Sequence, residues 1–262
     1  MDPSSNDIHK CKLKDGDNLE QNRIYNDLAH LWPLISPPEE GEKEAGYWRN
    51  VLRQKLGPGR HRVLDLGVGG GTNLSYLTSD FDATAVDISQ NMIDNSIKLN
   101  PSVDHHVGDM RNIRLENKFK AVIIHDAISY MTNEDDIKLT FSTAKAHLDP
   151  GGILVVAPEW YTETFPGTYV SSKVNKTSEQ EITTVQYIYD KDSSDTTIES
   201  IFFYFLKHAS GLQIEQDLHV TGLFGLDKWI DLITEAGFEP EKWVYPASKN
   251  ETQSYLLVGV LQ

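Results

Sequence analysis

The sequence has a single cysteine, Cys11, and lacks any apolar run of the roughly 20 residues that a membrane-spanning helix needs. One cysteine excludes an internal disulfide framework and a zinc site made of several cysteines. The segment 1–20 is polar and has no apolar stretch of the kind found in signal peptides. We therefore expect a cytoplasmic protein with a disordered leader over residues 1–20 and no membrane partner.

Basic residues are also few, because 24 lysines and arginines stand against 39 aspartates and glutamates, for a formal net charge of −15. Nucleic-acid binding depends on basic patches that contact phosphates, so this balance argues against DNA or RNA as a partner. An acidic surface favours cationic or amine ligands through electrostatic steering. The same charge is also explained by solubility alone.

Short apolar runs alternate with helical segments between residues 58 and 167. Ser89 and Asn133 are good N-cap residues, and three acidic residues follow Asn133. A turn is expected at Leu148–Gly152. The predicted strands are Val63–Leu66, Ala83–Ile88, His105–Val107, Ala121–Ile124 and Ile153–Ala157. This alternation predicts a mostly parallel sheet with helices on both faces.

The segment 21–57 reads as a helical lid in front of this core. Its first helix is expected to end at Pro33, and a second helix covers residues 39–56. The apolar residues of the first helix recur at helical spacing: Ile24, Leu28, Leu31 and Trp32.

From residue 168 to residue 222 the pattern changes to strands without helices, in which polar and apolar residues partly alternate. Such segments predict an antiparallel insertion with one wet face. They are Glu181–Tyr189, Thr196–Leu206 and Leu212–Thr221. Residues 223–262 then complete the core with a helix that Asp227 caps and Gly237 ends, followed by strands Phe238–Tyr245 and Tyr255–Leu261.

A glycine-rich turn joins the first predicted strand to a helix, where a backbone without Cβ atoms can approach a ligand. It is not a dinucleotide fingerprint, since Thr72 stands where the third glycine of G-x-G-x-x-G is required, and it lacks the G-K-[ST] of a P-loop. It matches D-x-G-x-G-x-G at Asp65, Gly67, Gly69 and Gly71. Asp65 would repel a phosphate and suits the ammonium of an amino-acid moiety.

Two more acidic residues follow predicted strands. Asp87, after the second strand, can accept hydrogen bonds from both hydroxyls of a ribose, as it would also in an NAD enzyme. Asp109, after the third strand, can accept from an adenine amino group, and Met110 can pack against the ring.

These segments resemble the class I S-adenosylmethionine (SAM)-dependent methyltransferases over about residues 60–160. The resemblance implies a Rossmann-like, seven-stranded α/β fold with SAM as cofactor. It places Asp65 and Gly67–Gly71 at the methionine end of SAM, Asp87 and Ile88 at the ribose, and Asp109 and Met110 at the adenine.

Two further segments, Pro158–Phe165 and Leu218–Phe224, are similar to those of amino-sugar N,N-dimethyltransferases. That branch has an N-terminal lid with a tyrosine, which Tyr25 matches, and the resemblance places Tyr25 at the cofactor. The branch also has a β-rich insertion over the site. The segments Leu31–Leu34 and His125–Ala127 depart from the sugar enzymes and are more similar to a related group of small-molecule methyltransferases.

Methyl transfer requires an aligned acceptor, and an amine acceptor must first lose a proton. The end of the fourth strand offers His125, whose backbone is a candidate SAM contact, together with Asp126 and Tyr130. The resemblance adds His219 as a base or substrate contact. The alternative roles are a core histidine for His125, a helix cap for Asp126 and simple packing for Tyr130. Two aromatic residues after the fifth strand are candidates either for the substrate pocket or for plain core: Trp160 and Tyr161.

We therefore predict a methyltransferase that moves a methyl group from SAM to a small molecule, with nitrogen favoured over oxygen as acceptor. A SAM-binding protein without activity and an NAD(P)-dependent oxidoreductase are the alternatives of other classes. A metal-dependent enzyme needs a spaced cluster of carboxylates, so we expect no metal. The strand edges of the insertion could pair two chains into a homodimer.

Overall fold

The computed structural model describes residues 19–178, 180–209, 211–246 and 253–262. The leader expected to be disordered covers residues 1–20, of which 1–18 lie outside the described residues. Within the described part, the carbonyl of Glu20 accepts the N–H of Leu218 at 3.1 Å. In the same part of the chain, no helix has both the length and the apolarity to cross a membrane.

A seven-stranded sheet forms the centre of the molecule, in the order β10-β11-β5-β4-β1-β2-β3. Strands β1 to β5 are parallel to one another, whereas β11 runs antiparallel to both β5 and β10. The strands are β1 (Arg62–Leu66), β2 (Asp82–Asp87), β3 (Asp104–Val107), β4 (Phe119–Ile124), β5 (Leu148–Val156), β10 (Phe238–Pro246) and β11 (Gln253–Leu261). The expected seven-stranded α/β fold is confirmed.

Helices cover both faces of this sheet, so alternate residues of each central strand enter two different cores. The helices are α1 (Trp32–Ile35), α2 (Glu42–Leu56), α3 (Thr72–Ser75), α4 (Gln90–Leu99), α5 (Glu134–His147) and α6 (Leu226–Glu235). On β1, Leu64 packs with Phe141 of α5 and Trp229 of α6, whereas Val63 packs with Trp48 of α2.

A second, antiparallel sheet holds the remaining four strands in the order β6-β7-β8-β9. They are β6 (Thr168–Lys176), β7 (Glu181–Tyr189), β8 (Thr197–His208) and β9 (Gly211–Gly222). The sequence predicted β7 within its observed bounds and β8 and β9 to within a few residues. One face of the sheet packs on the lid, because Ile182 and Tyr204 share a buried cluster with Ile24 and Leu28.

Of the two helices predicted for the lid, the second is present as α2 over Glu42–Leu56, but the first is not a continuous helix. Residues 23–25 and 29–31 form separate 3-10 turns, and Pro33 stands in the first turn of α1 instead of ending a helix. The backbone N–H groups of Arg23 and Ile24 donate to the Asp217 carboxylate at 2.8 Å. This contact from across the chain overrides the local spacing.

The expected helix caps at Ser89 and Asn133 are confirmed, since each side chain accepts a backbone N–H of the following turn. Asp227 is not a cap. The N-cap of α6 is Gly225, and the Glu163 carboxylate accepts from the N–H of Leu226 at 3.1 Å. The turn expected at Leu148–Gly152 is instead part of β5, at an irregular pairing with β4.

Candidate active site

The glycine-rich turn lies between β1 and α3, at the carboxyl edge of the central sheet. Gly67, Gly69 and Gly71 all have positive φ angles, of 83°, 55° and 80°. A Cβ atom on Gly67 would lie 2.4 Å from the Cβ of Ala127 and 2.9 Å from the Cε of Met110. Glycine is therefore required here both by the backbone and by the close approach of neighbours.

The lid covers this turn through Trp32. A Cβ atom on Gly70 would lie 2.2 Å from the indole Nε1 of Trp32, so the ring rests directly on the glycine backbone. The indole N–H is buried and has no hydrogen-bond partner among the described residues. The sequence reading treated Trp32 only as an apolar lid residue and missed this contact.

Asp87, at the end of β2, has a carboxylate that joins the turn to the next helix. Its Oδ2 accepts the N–H of Gly69 and its Oδ1 that of Ser89, both at 2.8 Å. Burial raises the pKa of Asp87, and these N–H donors oppose the rise. Each oxygen keeps a lone pair, so the carboxylate can accept two further hydrogen bonds from a pair of vicinal hydroxyls.

Asp65 is a buried carboxylate with only 5% of its surface exposed. Burial raises its pKa to about 7, and the opposing charge of His125 only partly offsets this. Among the described residues, no donor is hydrogen-bonded to it. An unpaired carboxylate in this position fits a cationic ligand group such as an ammonium.

The two residues expected at the adenine lie beside this edge. The Asp109 carboxylate is paired with the Arg111 guanidinium at 2.6 Å, which holds the pKa of Asp109 below its usual range. Met110 reaches the glycine-rich turn, as its distance from Gly67 shows. Ile88, expected at the ribose, has 68% of its surface exposed and is free to contact a ligand.

Above the sheet edge, four side chains from distant parts of the chain form a hydrogen-bonded series. The Tyr25 hydroxyl lies 2.9 Å from that of Tyr130, which lies 2.5 Å from Nδ1 of His219. Nε2 of His219 lies 2.8 Å from Oδ2 of Asp217. Burial raises the pKa of both tyrosines, so both hydroxyls keep their protons at neutral pH.

Asp217 is the residue of this series that the sequence reading missed. It is fully buried and lies two residues before His219, so strand periodicity places both side chains on the same face of β9. The D-x-H spacing in a strand was the signal available. It gained meaning only once the strand was known to face the site.

His125 and Asp126 form a second pair of polar side chains beside this series, and the charge of Asp126 contributes to the raised pKa values of Tyr25 and Tyr130. Nδ1 of His125 is 3.0 Å from Asp126, and Nε2 is 3.0 Å from Glu44 of α2 in an ion pair. Burial alone would lower the pKa of His125, but the two carboxylates outweigh it and raise the pKa well above its usual value. A histidine held as a cation anchors α2 and is poorly suited to accept a proton.

The two aromatic residues expected at the substrate pocket are both buried. Trp160 packs against Ile188 and Ile198 of the second sheet, with 7% of its surface exposed. Tyr161 is 2% exposed, and its hydroxyl donates to the carbonyl of Tyr255 at 3.3 Å. In this structure both side chains pack in the core. Among the described residues, no group of three potential metal ligands is found.

Comparison with known proteins agrees with this geometry. Residues 63–152 match the family model described as a methyltransferase domain. The dTDP-3-amino-3,4,6-trideoxy-alpha-D-glucopyranose N,N-dimethyltransferase of Streptomyces venezuelae is 30% identical over 76% of this chain and 83% of its own length. The chain belongs to the SAM-dependent methyltransferases that include the sugar N,N-dimethyltransferases.

Solved structures of methyltransferases share the fold. DesVI of Streptomyces venezuelae superimposes with a TM-score of 0.79 at 25% identity, over 90% of this chain and 99% of DesVI. A SAM-bound amino pentose methyltransferase from Micromonospora echinaspora gives 0.74 at 22% identity, over 85% and 92%. The present chain is likewise a SAM-dependent methyltransferase. Its unpaired Asp65 and the free lone pairs of Asp87 fit the ammonium and ribose of SAM.

Proposed function

We propose that the chain methylates the amine nitrogen of a deoxyamino sugar carried on a nucleotide. The observation that carries this proposal is the likeness to the Streptomyces venezuelae N,N-dimethyltransferase, which extends over 76% of the chain. A dTDP-4-amino-2,3,4,6-tetradeoxy-D-glucose N,N-dimethyltransferase from Saccharopolyspora spinosa is 25% identical over 85% of the chain.

SAM supplies an electrophilic methyl group on a sulfonium. Under this proposal, Asp65 binds its ammonium and Asp87 its ribose hydroxyls, in the pocket that Trp32 covers. The acceptor nitrogen lies near the Tyr25 hydroxyl, which is close enough to Asp87, Asp126 and Glu159 for their charges to raise its pKa further beyond the effect of burial. These carboxylates also favour a cationic acceptor.

His219 is the proposed terminal proton acceptor of the reaction. Both phenols are neutral, since burial raises their pKa values. A neutral phenol that accepts a proton becomes a strongly acidic oxonium, so it must give up its own hydroxyl proton to the next acceptor. A proton that enters at the Tyr25 oxygen reaches Nδ1 of His219 through Tyr130. The amine then keeps its lone pair for the new bond to carbon.

The test is turnover with SAM and a dTDP-linked 3-amino sugar, followed by mass spectrometry. We expect the acceptor to gain one methyl group and then a second. The matched control is the same nucleotide sugar with a hydroxyl in place of the amine. Methylation of the control alone would establish an O-methyltransferase, and binding of S-adenosylhomocysteine without turnover of any amine or alcohol would establish a binding protein.

A homodimer that buries the outer face of the second sheet is also proposed. Apolar side chains stand exposed there, with Val170 at 58%, Val174 at 53%, Tyr187 at 40% and Leu212 at 62%. Strands about 4.8 Å apart and about 30 Å long give a face of roughly 600 Å². This is close to the roughly 800 Å² per partner of a stable interface, so a second copy of the chain fits it.

Sedimentation velocity tests the dimer. Val170→Asp should convert a dimer to a monomer, whereas Leu139→Asp, at a residue 51% exposed on α5, should leave the dimer intact. A wild-type monomer at micromolar concentration would refute this interface. The cytoplasmic location stays a prediction, which cell fractionation tests.

A further inference from the structure

Asp217 combines two contacts that the methyltransferase reaction alone does not explain. Its Oδ1 accepts the backbone N–H of Arg23 and its Oδ2 that of Ile24, each at 2.8 Å, although 194 and 193 positions separate these residues from it. The same Oδ2 lies 2.8 Å from Nε2 of His219. One fully buried carboxylate therefore holds both the start of the lid and the histidine of the site.

The contacts close into a ring. Tyr25 follows Ile24 directly in the lid, and its hydroxyl reaches Tyr130, which reaches His219, which returns to Asp217. The lid thus enters the ring twice, through its backbone N–H groups and through its tyrosine. If the lid leaves the site, the ring opens at both places.

The ring also assigns a direction to each hydrogen bond. An ionised carboxylate has no proton to donate, so Nε2 of His219 is the donor in its contact with Oδ2 of Asp217. A neutral imidazole carries one proton, which leaves Nδ1 as the acceptor for the Tyr130 hydroxyl. The Tyr130 oxygen then accepts from the Tyr25 hydroxyl. The Tyr25 oxygen, at the end of the series, keeps its lone pairs for a proton from outside.

We propose that Asp217 is a positioning residue with two tasks: it holds the lid over the site through two backbone N–H groups, and it fixes the His219 tautomer in which Nδ1 accepts protons. The inference rests on the proposed N-methyltransferase function. One proton leaves the acceptor ammonium for the Tyr25 oxygen, as the Tyr25 proton moves to Tyr130 and the Tyr130 proton to Nδ1. His219 ends as an imidazolium whose Nε2–H still donates to Asp217.

The decisive measurement is the ¹⁵N NMR signature of the His219 ring in the full chain saturated with S-adenosylhomocysteine. We expect the Nε2-protonated tautomer in the wild type. Asp217→Asn should shift the ring toward the Nδ1-protonated tautomer, because the introduced amide can donate to Nε2. The variant should keep its affinity for S-adenosylhomocysteine within twofold and lose about 100-fold in kcat on the amino-sugar nucleotide, the lower end of what general-base catalysis contributes.

Glu215→Gln is the matched control on the same strand. Glu215 pairs with the Arg23 guanidinium at 2.7 Å and holds the lid without contacting His219. We expect the tautomer to be unchanged in this variant and kcat to fall less than threefold. Amide hydrogen exchange over residues 21–31 should become faster in Asp217→Asn than in Glu215→Gln.

Two results would overturn the proposal. One is an Nδ1-protonated His219 in the liganded wild type. This measurement does not depend on whether any variant folds. The other is an unchanged tautomer in a folded Asp217→Asn variant. A failure of the methyltransferase function itself would instead show as wild-type protein that binds no S-adenosylhomocysteine or methylates no amine.

Discussion

The two halves of the site are built in different ways. The half proposed for SAM lies at the carboxyl edge of the seven-stranded sheet, and its acidic residues lie at or within two positions of a strand end, as Asp87 is the last residue of β2. The half proposed for the acceptor is assembled from the lid, the segment after β4 and the strand β9. Tyr25 and Tyr130 are 105 positions apart, and Tyr130 and His219 are 89 apart.

This difference explains how each half holds its geometry. Around Asp87, the donors are backbone N–H groups within 18 positions, fixed by the turn itself. Around His219, the contact with the Tyr130 hydroxyl depends on the second sheet packing against the segment after β4. We therefore expect changes in the first half to affect cofactor binding and changes in the second to affect turnover.

The largest effect is expected for Asp87→Ala, which removes two charge-assisted acceptors for the ribose. At about 1.5–3 kcal/mol each, their loss should weaken binding of S-adenosylhomocysteine by roughly 10²–10⁴-fold, as measured by calorimetry. Asp82→Ala, at the exposed start of the same strand, is the control and should bind normally. If Asp87→Ala binds within threefold of wild type, the ribose site has been assigned to the wrong residue.

His219→Ala tests the other half. Its kcat should fall by about 10²-fold or more because the terminal proton acceptor is lost, while affinity for S-adenosylhomocysteine stays within about twofold. His30→Ala, at an exposed histidine of the lid, should change neither quantity. Loss of cofactor binding in His219→Ala would mean that the two halves are not separable.

Asp65→Asn sharpens the comparison through pH. The pKa of Asp65 is raised to about 7 in the folded chain, against about 3.9 when unfolded. The folded state therefore binds the extra proton, and the stability from this group is lost as pH rises from about 4 through about 7.

The variant removes this loss. At about 1.4 kcal/mol per unit, its stability relative to the ligand-free wild type should be about 2 kcal/mol better at pH 8 than at pH 5, in urea titrations. Its affinity for S-adenosylhomocysteine should fall at both pH values. A stability difference that does not depend on pH would show that Asp65 ionises normally.

The smallest effect is expected for Tyr161→Phe, which removes only the 3.3 Å hydrogen bond to the carbonyl of Tyr255. The free energy of unfolding should fall by about 0.5–1.5 kcal/mol, with kcat and KM unchanged. A raised KM for the acceptor would show that Tyr161 lines the substrate pocket.

The sequence signals for the proposed SAM half are local. A strand followed by D-x-G-x-G-x-G, then an acidic residue after the next strand, places Asp65 and Asp87 without knowledge of the rest of the fold. The same holds for the caps Ser89 and Asn133, whose bonds span three positions.

The acceptor half could be predicted only in part. Tyr25 and His219 came from the family resemblance, whereas Asp217 was missed because its role depends on contacts between distant segments. The contact of Trp32 with the glycine-rich turn, on the cofactor side, was missed for the same reason. The lid shows the same limit. Its apolar spacing is helical, yet hydrogen bonds from Arg23 and Ile24 to β9 break it into short turns.

The segment 20–22 also protects a strand edge. Asn22 N–H donates to the carbonyl of Leu218 at 3.0 Å, and Leu218 N–H donates to Glu20 at 3.1 Å, as a single parallel bridge along β9. An open strand edge is a template for aggregation. A shortened chain that starts at Trp32 would expose this edge. We expect such a chain to aggregate before its activity can be measured. Fusion tags and truncations at the amino terminus should leave residues 19–31 in place.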